Sequence, residues 1–413
     1  MKDSIIENTK SNWLVDYPSH WNLRRIKNIF SEINDRSEDG NEELLSVSHY
    51  TGVTLKRESL ENEDDNITNA ESLAGYKKVK ENDLVINIML AWNGSLGISP
   101  YDGITSPAYC VYRCKPENNP EYFGYLFSTN LFKSEFRKNS TGIIDSRLRL
   151  YSDKFFSIQS VVPIKDEQDE IVAYIKSHSE KIKHFIQKKQ RFIELLQEQR
   201  QSIVNEILNP ENKKWKWMRL KNIVTINDQS LGEDVDDNYL IKYIDIGNVN
   251  ADGSITELQV LLFKDAPSRA KRVVQKNDVI ISTVRTYLLA ITIIKSEESN
   301  LIASTGFAVL RPKVDITSEF LNILLRTKYF IDSVSRNSYG VSYPAINSTI
   351  LGSLKICIPI SIEEQQRITL YIKTETKTID TAISKAEKEI DLIKEYKEAM
   401  IAEAVMGKKS FQK

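Results

Sequence analysis

The chain has 413 residues, 41% of them hydrophobic and 27% charged, and a formal net charge of −1. That length exceeds one ordinary core and argues for two or three domains. The near-neutral charge excludes a general polyanion binder, so any nucleic-acid contact must come from local basic patches. Three cysteines, Cys110, Cys114 and Cys357, cannot form a disulfide framework and point to a reducing compartment. The opening MKDSIIENTK has no apolar signal core and no apolar run is long enough to cross a bilayer, so a cytoplasmic protein without membrane contact is expected.

In chain order, HWNLRRIKNIF (20–30) is the first marked segment, and it returns as KWKWMRLKNIV (214–224). The echo continues. ENDLVI (81–86) matches KNDVII (276–281), each a polar turn feeding a buried strand. ITSPAYCVYR (104–113) matches IASTGFAVLR (302–311). EYFGYLFSTNLF (121–132) and EFLNILLRTKYF (319–330) carry apolar residues at three- and four-residue spacing, which predicts an amphipathic helix in each. RKNSTG (137–142) and RNSYG (336–340) read as turn-rich loops, and SVVPIKDEQDEI (160–171) and KICIPISIEEQQRI (355–368) as a short strand, a proline and the head of a helix. The shift between copies is 194 at Ile29 and Ile223 and only 198 at Arg113 and Arg311, far too long a period for a solenoid. The chain is a tandem duplication. Trp21 and Trp215 read as core aromatics of the two copies.

Each copy ends in a long helix. From Asp166 to Leu208 there is no glycine or proline, and Ile171, Ile175, Ile182, Phe185, Ile193, Leu196, Ile203 and Ile207 recur at heptad-like gaps until Asn209-Pro210. The second copy gives Ile368, Ile372, Ile379, Ile383, Ile390, Ile393, Met400 and Ala404 before Gly407. At 1.5 Å per residue, each helix is roughly 60 Å long and needs a partner for its apolar seam. The simplest partner is the other copy's helix, antiparallel with an approximate two-fold axis, or parallel. His178, Lys189 and Arg200 fall on or beside the first seam and Glu375 and Lys397 at comparable places on the second. Such side chains either snorkel outward or fix the register.

Catalytic signatures are absent. There is no G-x-G-x-x-G or G-x-x-x-x-G-K-[ST] loop, and Asn119-Pro120 and Asn209-Pro210 are each followed by glutamate, unlike an adenine methyltransferase element. Cys110 and Cys114 lack a second ligand pair, and His178 and His184 lie six apart, so no metal is expected. Acidic clusters at Glu63-Asp64-Asp65 and Asp234 to Asp237 read as solvated loops. The chain by itself is expected to be non-catalytic.

Basic and amide side chains sit instead in turn-rich segments. In the first copy, the candidate DNA contacts are Lys77, Lys78, Trp92, Asn93, Arg137, Lys138, Arg147 and Arg149; in the second they are Arg269, Arg272, Arg285, Tyr287, Arg336, Asn337, Ser342 and Tyr343. Arg24, Arg25 and Lys27, and Lys213, Lys214, Lys216, Arg219, Arg326 and Lys328, are further basic positions. Lys and Arg grip phosphates; Arg and Asn can also read base edges. TGIIDSRLRL (141–150) faces YGVSYPAIN (339–347), so the framework is shared and the contact loops are not. That fits two different short DNA words at a fixed separation. The competing reading is a coiled-coil scaffold with two unequal heads that binds no DNA.

The order of these elements resembles the specificity subunit of a type I restriction-modification system. The resemblance covers about 13 to 408 and rests on P-I-K-D-E-Q-x-x-I at Pro163–Ile171, P-I-S-I-E-E-Q-x-x-I at Pro359–Ile368, and G-V-S-Y-P-A-I at Gly340–Ile346. The first copy departs from the last motif with Asp145-Ser146-Arg147-Leu148-Arg149. The resemblance implies an α+β chain of two globular α/β target recognition domains, at 1–163 and 210–359. Each is followed by a long helix, at 164–209 and 360–408, and the helices pair as an antiparallel coiled coil with pseudo-two-fold symmetry. It implies a seam through Ile171, Ile175, Ile182, Leu196 and Ile203 and through Ile372, Ile379, Ile383, Ile390 and Ile393. It places Pro163, Glu167, Gln168, Pro359, Glu364 and Gln365 at a hinge or partner interface. The implied partners are double-stranded DNA, two modification (methyltransferase) subunits and restriction (motor-nuclease) subunits. S-adenosylmethionine, ATP and Mg²⁺ would be used by those partners and none bound by this chain.

Overall fold

In a computed structural model of the chain, the described residues are 14, 17–49, 51–56, 72–144, 147–212, 215–232, 235–340 and 342–409. Expectations placed on Glu63-Asp64-Asp65, Asp145, Ser146, Lys213, Lys214, Asp234 and Val341 lie outside them. The chain divides into two compact units, one formed by residues 1–189 and 388–413, the other by 190–387. The boundaries fall inside the long helices.

The first unit contains β1 (Asn22–Arg25), β2 (Phe30–Ile33), β3 (Leu45–Ser48), β4 (Gly52–Leu55), β5 (Lys77–Val79), β6 (Leu84–Asn87), β7 (Leu96–Ile98), β8 (Gly103–Thr105) and β9 (Tyr109–Cys114). These precede α1 (Pro120–Phe127), α2 (Asn130–Asn139), α3 (Ser152–Ser157), β10 (Gln159–Val162) and the start of α4 (Lys165–Ile207). The main sheet has the order β2-β9-β6-β7, all antiparallel. β3 pairs with β4 and β5 with β8, and a parallel bridge from Leu44 to Ile104 joins these two pairs. β1 closes antiparallel on β10, so the start and finish of the copy meet.

The second unit contains β11 (Lys216–Arg219), α5 (Leu220–Ile223), β12 (Val224–Ile226), β13 (Leu240–Ile244), β14 (Gln259–Leu262), β15 (Ala270–Val273), β16 (Val279–Ser282), β17 (Ile291–Ile293), β18 (Leu301–Ser304) and β19 (Phe307–Pro312). After these come α6 (Ser318–Leu325), α7 (Lys328–Arg336), α8 (Ser348–Ser353), β20 (Lys355–Ile358) and the start of α9 (Ile362–Val405). Its sheet β12-β19-β16-β17 repeats the first unit's order, and β11 closes on β20. The second sheet, β14-β13-β18-β15, is here continuous, with β13 and β18 parallel. The duplication read from the sequence is therefore a duplication of topology.

The repeated Asn-Asp turn has a structural cause. Asn82 and Asn277 take φ of 69° and 73°, a left-handed conformation that asparagine tolerates. The following aspartates are buried. Asp83 receives a fork from Arg113 Nε and Nη2 at 2.8 Å each; Asp278 receives the same fork from Arg311 at 2.9 Å each. Each carboxylate also accepts a turn N–H, from Lys80 at 2.9 Å and Gln275 at 2.8 Å. The paired carboxylate raises both guanidinium pKa values above the ordinary arginine value. A buried aspartate held this way ties the turn entering β6 or β16 to its neighbour, β9 or β19.

The single amphipathic helices predicted over 121–132 and 319–330 are each two helices. Thr129 breaks the first pair and caps α2 by accepting the Phe132 N–H, and Thr327 precedes α7 in the second. Asn119, with Pro120 next, caps α1, and Thr317 caps α6. Arg137 and Lys138 thus belong to the last turn of α2 rather than to a loop. Trp21 is core, as read from the sequence, whereas Trp215 is half-buried beside Phe320.

Gln168 and Gln365 fix each long helix to its own globular part. Both are 0% exposed. Gln168 Oε1 accepts the Asn119 N–H at 2.7 Å, and its amide donates to the Pro163 carbonyl at 2.9 Å. Gln365 Oε1 accepts the Thr317 N–H at 3.0 Å and its amide donates to the carbonyls of Asp315 (2.9 Å) and Pro359 (3.1 Å). The two glutamines satisfy backbone groups at the head of α1 or α6 that would otherwise be orphaned.

Helix segments pair antiparallel within each unit. In the first, Ile171 and Ile175 of α4 share a core with Ala404 and Val405 of α9, while Lys189 meets Glu389 at 2.5 Å. In the second, Val204 and Leu208 share a core with Ile372, and Arg200 meets Asp380 at 2.7 Å. Lys189 and Arg200 therefore make cross-helix ion pairs instead of snorkelling freely. Of the predicted seam, Ile171, Ile175, Ile182, Ile372, Ile379 and Ile390 are buried; Leu196, Ile203, Ile383 and Ile393 are half-buried. Phe185 is exposed and leaves the seam, because the apolar face needed there is narrower than the heptad pattern offered.

The C-terminus completes the first unit's core. Tyr122 donates its hydroxyl to the Val405 carbonyl at 2.9 Å, and Gly407 turns at φ +69° against Pro18 and Trp21, where a Cβ would lie 2.5 Å from the proline ring.

Gln365→Leu would strand three backbone groups inside the second unit. The expected loss is about 3 kcal/mol of unfolding free energy, by the cost of buried unsatisfied groups, read from urea unfolding followed by tryptophan fluorescence.

Candidate nucleic-acid interface

In both units, two chain segments that are distant in sequence come together beyond the end of the main sheet. In the first, the segment after β6 contains a single 3-10 turn (Ala91–Asn93) closed by Gly94 at φ 89°. The Leu150 N–H donates to the Ile88 carbonyl at 2.9 Å, and Thr141 and Arg149 exchange two backbone bonds of 2.9 Å. In the second, the segment after β16 contains the corresponding turn, Thr286–Leu288. The Ile346 N–H donates to the Thr283 carbonyl at 2.8 Å, and Tyr339 and Ala345 exchange bonds of 2.8 and 2.9 Å. Val284 bridges Ala345 as well. One backbone platform is built twice from unlike residues.

Gly340 shows why the Gly340–Ile346 loop opens with glycine. Its φ is +108°, and a Cβ there would lie 2.9 Å from the Tyr343 carbonyl oxygen. Gly142 at φ +150° stands at the same place in the first unit.

The platform gathers many of the predicted residues. Trp92 is half-buried, donates its indole N–H to the Met89 carbonyl at 3.2 Å and lies under Arg137, 5.1 Å from the ring centre. Asn93, Lys138 and Arg147 are exposed nearby, and Lys138 also meets Glu135 at 3.6 Å. Arg149 donates to its neighbour's carbonyl, Leu148 O. In the second unit, Arg285 lies over Tyr343 at 4.9 Å, and Tyr287, Arg336 and Ser342 are exposed. Asn337 points back to Ser333 O at 2.8 Å and finishes α7.

Other predicted residues are occupied elsewhere. Lys77 is 7% exposed within β5, so it is withdrawn from the accessible surface; the alternation of a strand turned it inward. Lys78 stands 3.8 Å from Glu42. Arg269 is engaged with the Tyr243 hydroxyl (3.2 Å) and Asp245 (2.8 Å), although its backbone receives Thr305 N–H next to the platform. Arg272 lies in β15 with its Nε buried. Arg326 is anchored on the carbonyls of Ile291 and Ala251, and burial lowers its pKa. These arginines are framework.

Several apolar side chains at the platform escaped the sequence reading. Ile143 is 100% exposed and Ile144 and Leu90 are also exposed; in the second unit Leu288 and Tyr339 join Tyr287 and Tyr343. The available signal was apolar residues inside segments too turn-rich to hold a strand or helix, GII and TYLL. Exposed apolar groups clustered at one end of a domain mark an interaction surface.

The second platform also carries strain. Arg285 (φ 50°) and Leu289 (φ 53°) flank the turn in left-handed conformations, each costing on the order of 1–3 kcal/mol for a residue other than glycine or asparagine. The half-buried Leu289 lines a small cavity with Ile281, Leu325 and Phe330.

Residues 212–391 match the family model of the type I restriction modification DNA specificity domain. Over nearly its whole length the chain is similar to the specificity subunit of the type I restriction enzyme MjaVIII of Methanocaldococcus jannaschii, 24% identical with 97% of this chain and 96% of that one covered. It is 29% identical over 133 residues to the HindI specificity subunit of Haemophilus influenzae, 31% of this chain and 28% of that one. A solved chain described under complex assembly and conformational transition of the type I R-M system has the same fold, with a TM-score of 0.60 at 16% identity, covering 94% and 98% of the two chains.

Gly340→Ala is expected to lose about 1–2 kcal/mol through the forced left-handed backbone. Hydrogen exchange should speed up at 339–345 and stay slow in β16.

Proposed function

From a chain similar over nearly its whole length to a type I restriction enzyme specificity subunit, we propose a specificity subunit of that family, a reader of split, asymmetric DNA targets, one half-site per platform. The observation that carries this is the pair of platforms with one backbone plan and different side chains. Arg147 and the Arg137–Trp92 stack face one half-site; Arg285, Arg336, Ser342 and Tyr343 face the other. Cations reach phosphates, and arginine with the small polar groups reads base edges. Recognition domains span 1–163 and 210–359, and the helices of 43 and 44 residues are the spacer that sets the gap between half-sites. A wrong base pair costs about 1–3 kcal/mol, so joining two short words sums the penalties.

The chain recognises and does not catalyse. Two modification subunits bring S-adenosylmethionine, and restriction subunits bring ATP and Mg²⁺. Docking of two identical partners is supported by a surface that, unlike the platforms, is the same in both copies. A cleft of about 470 Å³ at Asn82, Arg113, Lys115, Glu121 and Lys176 recurs with about 720 Å³ at Asn277, Arg311, Lys313, Glu319 and Lys373. The pairs Lys176–Glu121 (2.5 Å), with Glu121 half-buried, and Lys373–Glu319 (2.6 Å) repeat at matching places. Pro163, Glu167, Gln168, Pro359, Glu364 and Gln365 lie at the same junctions. With both prolines and both glutamines buried, Glu167 is half-buried beside His20 (3.2 Å) and Glu364 half-buried beside Arg367 (3.9 Å). The free cysteines and the absence of a membrane-spanning helix among the described residues support a cytoplasmic site of action.

Co-expression with the modification subunit, followed by mapping of methylated adenines in genomic DNA, should return a two-part asymmetric target. Exchanging residues 1–160 for those of a relative should change one part only; a change in both, or in neither, would defeat the proposal. Inserting a heptad into α4 should shift or abolish the permitted gap. Arg285→Ala should lower affinity and reduce the slope of log K against log salt by about 1, one phosphate contact's share.

A further inference from the structure

The two platforms differ in one respect that reading base edges does not explain. In the first, the turn after β6 closes on Gly94, free of strain, and its aromatic residue Trp92 is half-buried and tied to Met89. In the second, the residue at the place of Gly94 is Leu289, strained at φ 53°, and the place of Trp92 is taken by Tyr287, 57% exposed. Leu288 beside it is exposed too. The turn is held at two points: the Thr286 N–H meets the Pro344 carbonyl, and the Leu288 N–H closes the turn on the Arg285 carbonyl at 2.9 Å. Arg285 is itself strained and held against Tyr343. A held turn that keeps an aromatic and an aliphatic side chain out in water, beside the Arg285 guanidinium, is built to put apolar surface into something.

We propose that the second domain deforms the duplex itself: Tyr287 and Leu288 enter the base stack as a wedge, with Arg285 beside them on the backbone. This rests on the DNA-reading function above. Apolar side chains inserted between base steps unstack and kink DNA, and a braced turn can do this because the side chains need not be ordered on binding. The turn of the first platform has its ring packed down and offers no such wedge; the exposed Ile143 and Ile144 there belong to the other segment, 141–150. The activity belongs to this chain alone and precedes any partner chemistry on the target base.

The test uses the complete chain without partners and duplexes of the mapped target carrying 2-aminopurine at each position in turn. Binding is followed separately by anisotropy. The expected result is a severalfold fluorescence rise at one step of the second half-site and none in the first. Tyr287→Ser with Leu288→Ser should abolish the rise and weaken binding roughly 10- to 100-fold, the range for loss of a stacking side chain, while leaving the salt slope unchanged because no cation is removed. Tyr287→Phe should keep the rise. Binding with no rise at any position, or a rise that survives the double substitution, overturns the wedge and leaves DNA reading intact. Absence of binding overturns the reading itself and the wedge with it.

Discussion

One buried amide in each copy governs what the rest can do. Beyond the cores they share, Gln168 and Gln365 join three things: the end of the closing strand, the first turn of α1 or α6, and the first turn of the long helix. A surface contact there would leave a loose joint. A glutamine with no solvent exposure, donating and accepting at once, cannot let go without leaving backbone groups unpaired in the interior. The globular part and the head of its helix are consequently one body, and motion of the helix is motion of the platform.

The second constraint is the Asp–Arg fork, which separates what is fixed from what varies. Asp83 with Arg113 and Asp278 with Arg311 lock the base of the turn entering β6 and β16. The segments at the far end of those strands, 88–94 and 284–289, hang from a frame that does not depend on their composition. The platform keeps its backbone bonds through Leu150–Ile88 and Ile346–Thr283, and Leu150 and Ile346 are core residues, so the exposed side chains between these anchors can change without disturbing the sheet. Diversity of reading and stability of fold are physically separate in this chain.

The duplication, the long helices and the turn-and-strand framework were legible because they leave periodic marks: matched Asn-Asp turns, proline followed by Glu-Gln, apolar residues at helical spacing. The site was legible only in part. Arg285, Tyr343 and Trp92 sit in segments whose turn character is visible in sequence; Arg285 does meet Tyr343, and Trp92 meets Arg137, which the fold puts on a helix instead. Lys77, Arg269 and Arg326 looked equally basic, but their fate depends on which face of a strand they occupy and which carbonyl or carboxylate lies across from them, and those are tertiary facts. The helix break at Thr129 was hidden because apolar spacing continues through it, although threonine's preference for caps was the available hint. Ile143 and Leu288 went unnoticed because an apolar residue is read as core by default, and only the fold reveals that no core lies beneath.

The packing of residues 404–407 against Trp21, Pro18 and Tyr122 bears on how the polypeptide is made. The second unit is contiguous, 190–387, and has all its parts before synthesis ends. The first has its opening residues early but lacks a wall until residues 404–407 are made, at some 5–20 residues per second. The nascent first unit therefore waits on the ribosome with an unfinished interior while the later one completes, reversing the usual order of maturation. A chain cut before residue 404 keeps both platforms and still displays a raw apolar gap beside Trp21 and Tyr122, the kind of surface that chaperones and proteases engage.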